Sequence, residues 1–243
     1  MGVSTVKEKW TRWAETRAAE FADRQWLLSK YEVSEDIDWP REKVDLLVDM
    51  LWERLDLRPG RRVVELCCGG GWLVGNLAGR GAIGTGLDFA ENMICIARRQ
   101  WPSVQFTVAN ASACPLPDGC ADAVLCYFAL INIESKQTRR GIVEEALRLL
   151  RPGGRAVIGH LPLRDRSGDY DAAKARYFSL SSPGQDGLLR ADCQMPIVLF
   201  TPEELLGLAS DFSEKRIEPS FNHFWLPGEP VTCPWRVDLC LRR

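Results

Sequence analysis

The sequence predicts an α/β fold: a doubly wound, mostly parallel sheet of about seven strands, preceded by helices and carrying an insert after the fifth strand. Three observations predict it. Short apolar runs alternate with helical stretches from Arg62 to His160. The first run ends in a glycine-rich turn, Cys68-Gly69-Gly70-Gly71. And 243 residues, 46% hydrophobic and 26% charged, are enough to bury one sizeable core. One domain is expected over 1–243: N-terminal helices (1–57), a nucleotide-binding core (58–160), an insert (161–200) and a closing helix with strands (201–243).

Each element has its own signal. Trp10, Trp13, Ala14, Ala18 and Phe21 share one face of a helix over Lys7 to Lys30. A second helix starts near Trp39-Pro40, lines up Val44, Leu47, Val48, Leu51 and Leu55, and stops at Arg58-Pro59-Gly60. Strands are read at Arg62 to Cys67, Ile83 to Asp88, Val104 to Ala109, Asp122 to Tyr127 and Arg155 to His160. Helices lie between them at Trp72 to Leu77, Ala90 to Trp101 and Thr138 to Leu150. Alternation of this kind implies right-handed crossovers between parallel strands, with ligands bound at the strands' carboxyl ends. About 40 residues without such a pattern follow His160, longer than an ordinary connection and suited to a lid. Thr201-Pro202-Glu203-Glu204 then reads as a capping box, and two more strands are expected at Glu214 to Phe221 and Trp235 to Leu241.

Composition narrows the function classes. Lys+Arg 31 against Asp+Glu 33 gives a net charge of -2, which removes a general attraction to nucleic acid or anionic membrane. No apolar run is long enough to span a bilayer and no secretory leader is visible, so a cytoplasmic location is expected. Nine cysteines, an odd number with no CxxC pair, read as reduced apolar fillers rather than a disulfide framework or a zinc site; no metal is expected. The default partner is a small molecule.

The informative segment is Glu65-Leu66-Cys67-Cys68-Gly69-Gly70-Gly71. A strand ending in an acid, then a turn of small residues, lets a ligand lie directly against the backbone. Asp88 ends the second strand, where a carboxylate accepts hydrogen bonds from both ribose hydroxyls. Asn110 follows the third, and its amide can pair with an adenine edge. Together they outline an adenosine-shaped slot. A dinucleotide site fits less well: Gly79-Arg80-Gly81-Ala82-Ile83-Gly84 matches G-x-G-x-x-G but precedes a strand instead of opening a helix.

From Arg62 to His160 the chain resembles the class I, Rossmann-like S-adenosylmethionine-dependent methyltransferases. The resemblance rests on five segments in order. They are the acidic-x-G-x-G-x-G turn, with Cys67 in place of its first glycine, and Gly86-Leu87-Asp88-Phe89-Ala90-Glu91-Asn92-Met93. Then come Val108-Ala109-Asn110-Ala111, the loop Pro115-Leu116-Pro117-Asp118 with Asp122, and Glu144-Glu145-Ala146-Leu147-Arg148-Leu149-Leu150-Arg151-Pro152-Gly153-Gly154. The resemblance implies an antiparallel last strand and S-adenosylmethionine as cofactor, with S-adenosylhomocysteine as product. It places Glu65, Gly69 and Gly71 at the methionine end, Asp88 at the ribose and Asn110 with Ala111 at the adenine, with Cys67, Phe89 and Met93 also among the cofactor-binding residues. Cys126 and Tyr127, after the fourth strand, would border the sulfonium.

The expected activity is methyl transfer to an O, N or C nucleophile of a small molecule, in specialised metabolism. Such a displacement needs alignment and exclusion of water, and for some acceptors a general base. The chain has two histidines. His160, expected where strand five ends, is the first candidate and His223 the second; each is otherwise a polar residue satisfied at a strand end or in a loop. Tyr31, Trp39, Tyr170 and Tyr177 would wall an acceptor pocket, although core packing serves such aromatics equally well. A non-catalytic cofactor-binding scaffold, and a protein, RNA or arsenic methyltransferase, are the alternatives; arsenic would need several thiolates converging on one atom. A homodimer is left open.

Overall fold

The computed structural model describes residues 41–166, 168–169, 198–222, 228 and 230–243. The expected first helix, Tyr31, Trp39, Tyr170, Tyr177, His223 and most of the insert lie outside the described residues.

Helix α1 (Arg41–Arg54) precedes strand β1 (Arg62–Leu66), and α2 (Trp72–Gly79), β2 (Ile83–Asp88), α3 (Glu91–Gln100) and β3 (Gln105–Val108) follow. Strand β4 (Ala121–Tyr127), α4 (Lys136–Leu149), β5 (Leu150–Pro162), α5 (Pro202–Leu208), β6 (Glu214–Phe221) and β7 (Thr232–Arg242) complete the order. The seven strands form one sheet in the order β3-β2-β1-β4-β5-β7-β6. Strands β1 to β5 pair in parallel, and β7 runs antiparallel to both β5 and β6. The strand order reverses between β1 and β4, so the crevice for a ligand opens at the carboxyl ends of these two strands.

Both faces are covered, as a parallel sheet requires. Leu47, Val48 and Leu51 of α1 pack with Leu73, Val74 and Leu77 of α2, and Ile94 and Ala97 of α3, against Val63, Leu125 and Val157. On the other face Ile142, Val143, Ala146 and Leu149 of α4 and Leu205 of α5 cover Val64, Val124, Ile158 and Leu239. The expected capping box is present: the Glu204 N–H donates to Thr201 Oγ1 and the Thr201 N–H to Glu204 Oε2. Arg148 of α4 ties down the loop before β4, donating to the Leu116 carbonyl (2.7 Å) and Asp118 (2.6 Å).

Strand β5 differs from its expected span at both ends. Leu150 already pairs with Ala121, and Arg155 pairs with Ala123, so the Pro-Gly-Gly turn is absorbed as a bulge with Gly153 at φ 77°. His160 does not end the strand. It sits within β5 at a second register shift, between Ile158 and Leu161, with φ 65°.

A buried carboxylate on β7 holds that second bulge. Asp238, fully buried, accepts the His160 N–H at 2.9 Å through Oδ1. Its Oδ2 accepts from Tyr127 (3.1 Å) and forms an ion pair with Arg54 of α1. Tyr127 also shares a hydrogen with Ser220 (2.9 Å). Gly159 leaves the room this needs, because a Cβ there would stand 2.0 Å from the Tyr127 ring and 3.0 Å from Asp238. Removing one partner of a buried charge pair strands the other. Asp238→Ala is therefore expected to lose about 3–5 kcal/mol in urea unfolding, whereas Glu218→Ala, at the solvated end of the same Arg54, should lose less than about 1 kcal/mol.

Candidate functional site

The turn after β1 is built from conformations and bonds that fit no ordinary loop. Cys67, Gly69 and Gly71 have φ values of 58°, 50° and 74°, all in the left-handed region that favours glycine. Cys67 therefore adopts a glycine conformation at the position where the expected motif has a glycine. Gly71 is needed twice over, since a Cβ there would also stand 2.5 Å from the Phe106 ring. The same ring fills the space beside Gly86, so the floor of the turn is packed solid. Gly71 then opens α2, whose first turn brings the Val74 N–H to Glu65 Oε2 at 3.0 Å.

Asp88 closes the site from β2. Its Oδ2 accepts the Gly69 N–H at 2.9 Å and its Oδ1 the Ala90 N–H at 2.9 Å. The Cys68 N–H donates to the Leu87 carbonyl at 2.9 Å, so turn and strand are joined twice. Two carboxylates thus meet at the head of the sheet, each accepting from backbone N–H groups. Burial pushes Glu65 up from its ordinary 4.5 to about 8, with nearby Asp88 adding to the shift. Asp88 is raised as well, burial outweighing its backbone hydrogen bonds. A cation placed here would be met by latent negative charge.

The other expected site residues divide into those that reach this turn and those that do not. Phe89 follows Asp88, and Met93 is buried in the first turn of α3. Ala111 is buried, whereas Asn110 is exposed and its Oδ1 accepts from the Ser112 N–H (3.0 Å) and Oγ (2.9 Å). What Asn110 offers an adenine is its NH2 group. Cys126 is buried in the cluster that Cys67 packs against, and its thiol raises the Cys67 pKa. Tyr127 sends its hydroxyl to Ser220 and Asp238, so its side chain belongs to the network behind the site. His160 is buried against Phe128, ring centroids 4.4 Å apart, and burial with the nearby Arg236 guanidinium pushes its pKa well below the ordinary value. A ring so weakly basic is a poor general base.

Phe128 and Asp238 were not among the expected residues. Phe128, just past β4, is itself left-handed at φ 63° and packs edge-on against Tyr127. An aspartate within the apolar run Val237-Asp238-Leu239 was the available signal for the network.

The arrangement fits a nucleoside ligand with a charged tail: a backbone turn bare of side chains at Gly69 and Gly71, a carboxylate at the ends of β1 and β2, and a reversal of strand order above them. The methyltransferase-domain family matches residues 63–154, which hold all of these features. The demethylmenaquinone methyltransferase of Thermus thermophilus is 33% identical over 178 residues, 70% of this chain and 76% of that protein. The chain belongs to the class I S-adenosylmethionine-dependent methyltransferases. Another methyltransferase of the same name, from Beutenbergia cavernae, is 33% identical over 132 residues, 52% of this chain and 54% of that protein. The chain thus spans about half the length of most of the relatives it matches. Among solved structures, the magnesium protoporphyrin IX methyltransferase of Synechocystis with bound S-adenosylmethionine aligns at TM-score 0.64 and 16% identity, over 100% of this chain and 99% of that one. The [4+2]-cyclase SpnF aligns at TM-score 0.60 and 21% identity, over 89% and 76%. At such identities the likeness concerns the methyltransferase fold, which also carries other chemistry.

The raised Glu65 has a signed consequence. The folded chain holds this proton more tightly than the unfolded one, so stability is highest below pH 4.5 as far as this group is concerned and falls as pH rises from 4.5 toward 8. The urea midpoint of the free protein is expected to fall across that window, and Glu65→Gln to flatten the fall. An identical slope in both proteins would show that Glu65 is not the titrating group.

Proposed function

We propose that this methyltransferase-family chain transfers a methyl group from S-adenosylmethionine to an O, N or C nucleophile of a small molecule. The observation that carries this reading is the convergence of Glu65, the left-handed turn Cys67 to Gly71, and Asp88 at the point where strand order reverses. When bound, the cofactor supplies an electrophilic methyl group on a sulfonium. Glu65 and the backbone of Gly69 and Gly71 hold its methionine end. Asp88, its oxygens already aligned by Gly69 and Ala90, has lone pairs left for the ribose hydroxyls. Asn110 and Ala111 meet the adenine. Cys126 and the backbone beyond Tyr127 border the sulfonium, and Phe128 with the neutral His160 forms a wall that keeps water out.

This assignment makes alignment and desolvation the source of rate, with no proton taken by His160. The acceptor class is supported by the two relatives named for demethylmenaquinone, a flat aromatic quinone, and by the aromatic residues Tyr31, Trp39, Tyr170 and Tyr177 in the flanking segments. A net charge of -2 supports a small molecule over nucleic acid. Among the described residues no helix is long and apolar enough to cross a membrane.

Two measurements test the proposal. Acceptor-dependent formation of S-adenosylhomocysteine is expected with reduced demethylmenaquinone or a related phenolic, amine or enolate acceptor. Tight cofactor binding with no turnover on any of them would favour the scaffold reading. Asp88→Ala should weaken cofactor binding by about 1–3 kcal/mol, the cost of leaving buried polar partners unsatisfied; an unchanged dissociation constant would contradict the site.

A further inference from the structure

We propose that Cys67 and Cys126 are an oxidation-sensitive pair, and that a disulfide between them, made by a peroxide, closes the crevice to the cofactor. This rests on the reading that S-adenosylmethionine occupies the turn after β1.

The pairing follows from the sheet. Strands β1 and β4 run in parallel register from Val63 opposite Ala123 to Glu65 opposite Leu125. Just past that register Cys67 follows the end of β1 while Cys126 is still within β4, and the Cys126 thiol is near enough to raise the Cys67 pKa. Both side chains pack on the α4 side of the sheet. Cys68 is not a partner, because it packs on the opposite side and its Sγ donates to the Gly69 carbonyl at 3.6 Å. The pair spans the point where strand order reverses, at the residue that stands in a glycine's place with φ 58°.

Exposure orders the chemistry. Cys67 is partly exposed and Cys126 buried, so a peroxide reaches Cys67 first. The Cys67 thiolate attacks one peroxide oxygen and the O–O bond breaks, giving a sulfenic acid and one water. Cys126 then attacks the Cys67 sulfur and displaces the hydroxyl as a second water. Two thiols are oxidised by two electrons and one peroxide becomes two waters. Two thiols packed in one cluster have then become an S–S bond of about 2.05 Å. That contraction draws the turn against β4 and narrows the gap that the cofactor's methionine end must enter.

The neighbours set the conditions. Cys126 on β4, Asp88 at the end of β2 and Cys68 in the turn, together with burial, hold the Cys67 thiol well above its ordinary pKa. The pair is therefore slow at neutral pH, and its oxidation speeds up as pH rises and thiolate forms.

The test uses the full chain, hydrogen peroxide, and S-adenosylhomocysteine as the probe, at about pH 7 and about pH 9. Peptide mapping under non-reducing conditions should find the Cys67–Cys126 crosslink, forming faster at the higher pH and about tenfold slower with the probe bound. Calorimetry should show probe affinity lowered at least about tenfold after oxidation and restored by dithiothreitol. In Cys126→Ala the crosslink is absent, and affinity before and after peroxide should agree. Oxidation confined to the exposed Cys95, or a crosslinked chain that binds the probe as before, would overturn the proposal. An untreated chain that does not bind the probe would instead overturn the cofactor reading, and the crosslink could still be mapped.

Discussion

Asp88 reaches from the end of β2 to accept the Gly69 N–H on one oxygen and the Ala90 N–H on the other, and the shape of the site depends on those two bonds. They hold a turn with three left-handed residues that would otherwise relax toward ordinary loop conformations. They also leave a buried carboxylate next to Glu65, which is itself held by the first turn of α2. Two buried acids, both raised above their ordinary pKa, are costly to keep without an opposite charge. A cationic, hydroxyl-bearing ligand relieves that cost, so the feature that strains the free protein also favours binding.

The far side of the crevice is built on the same principle with a different carboxylate. Asp238 on β7 ties α1, β4, β5 and β6 together through Arg54, Tyr127, His160 and Ser220. The result is that Phe128 and His160, just beyond or within the strands that face the cofactor turn, are fixed in left-handed conformations and pack ring against ring. One carboxylate thus shapes the turn after β1, and another shapes the neighbouring ends of β4 and β5. Between them stand Cys67, just past the end of β1, and Cys126 on the adjacent β4.

Much of this was readable from residues in order. The strand ends at Glu65 and Asp88, the turn of small residues, and the capping box at Thr201 are local patterns whose physical meaning does not depend on distant partners. The strand boundaries at Ile83–Asp88 and Glu214–Phe221 were legible for the same reason. What escaped was set by contacts across the sheet. The bulge that takes His160 inside β5 rather than to its end requires Asp238, 78 residues later, and the Tyr127 hydroxyl is held by Ser220 and Asp238. No local pattern announces such pairings. The aromatics expected to wall an acceptor pocket fall in the flanking segments, where periodicity alone does not separate a pocket wall from a core.

Binding selectivity tests the central claim most directly. Calorimetric titration of the full chain with S-adenosylhomocysteine and, separately, with a nicotinamide dinucleotide should show one site per chain in the micromolar range for the first and no heat of binding for the second. Binding should release protons at neutral pH as Glu65 ionises beside the ligand's ammonium group. Binding of the dinucleotide in place of S-adenosylhomocysteine, or of neither, would contradict the account.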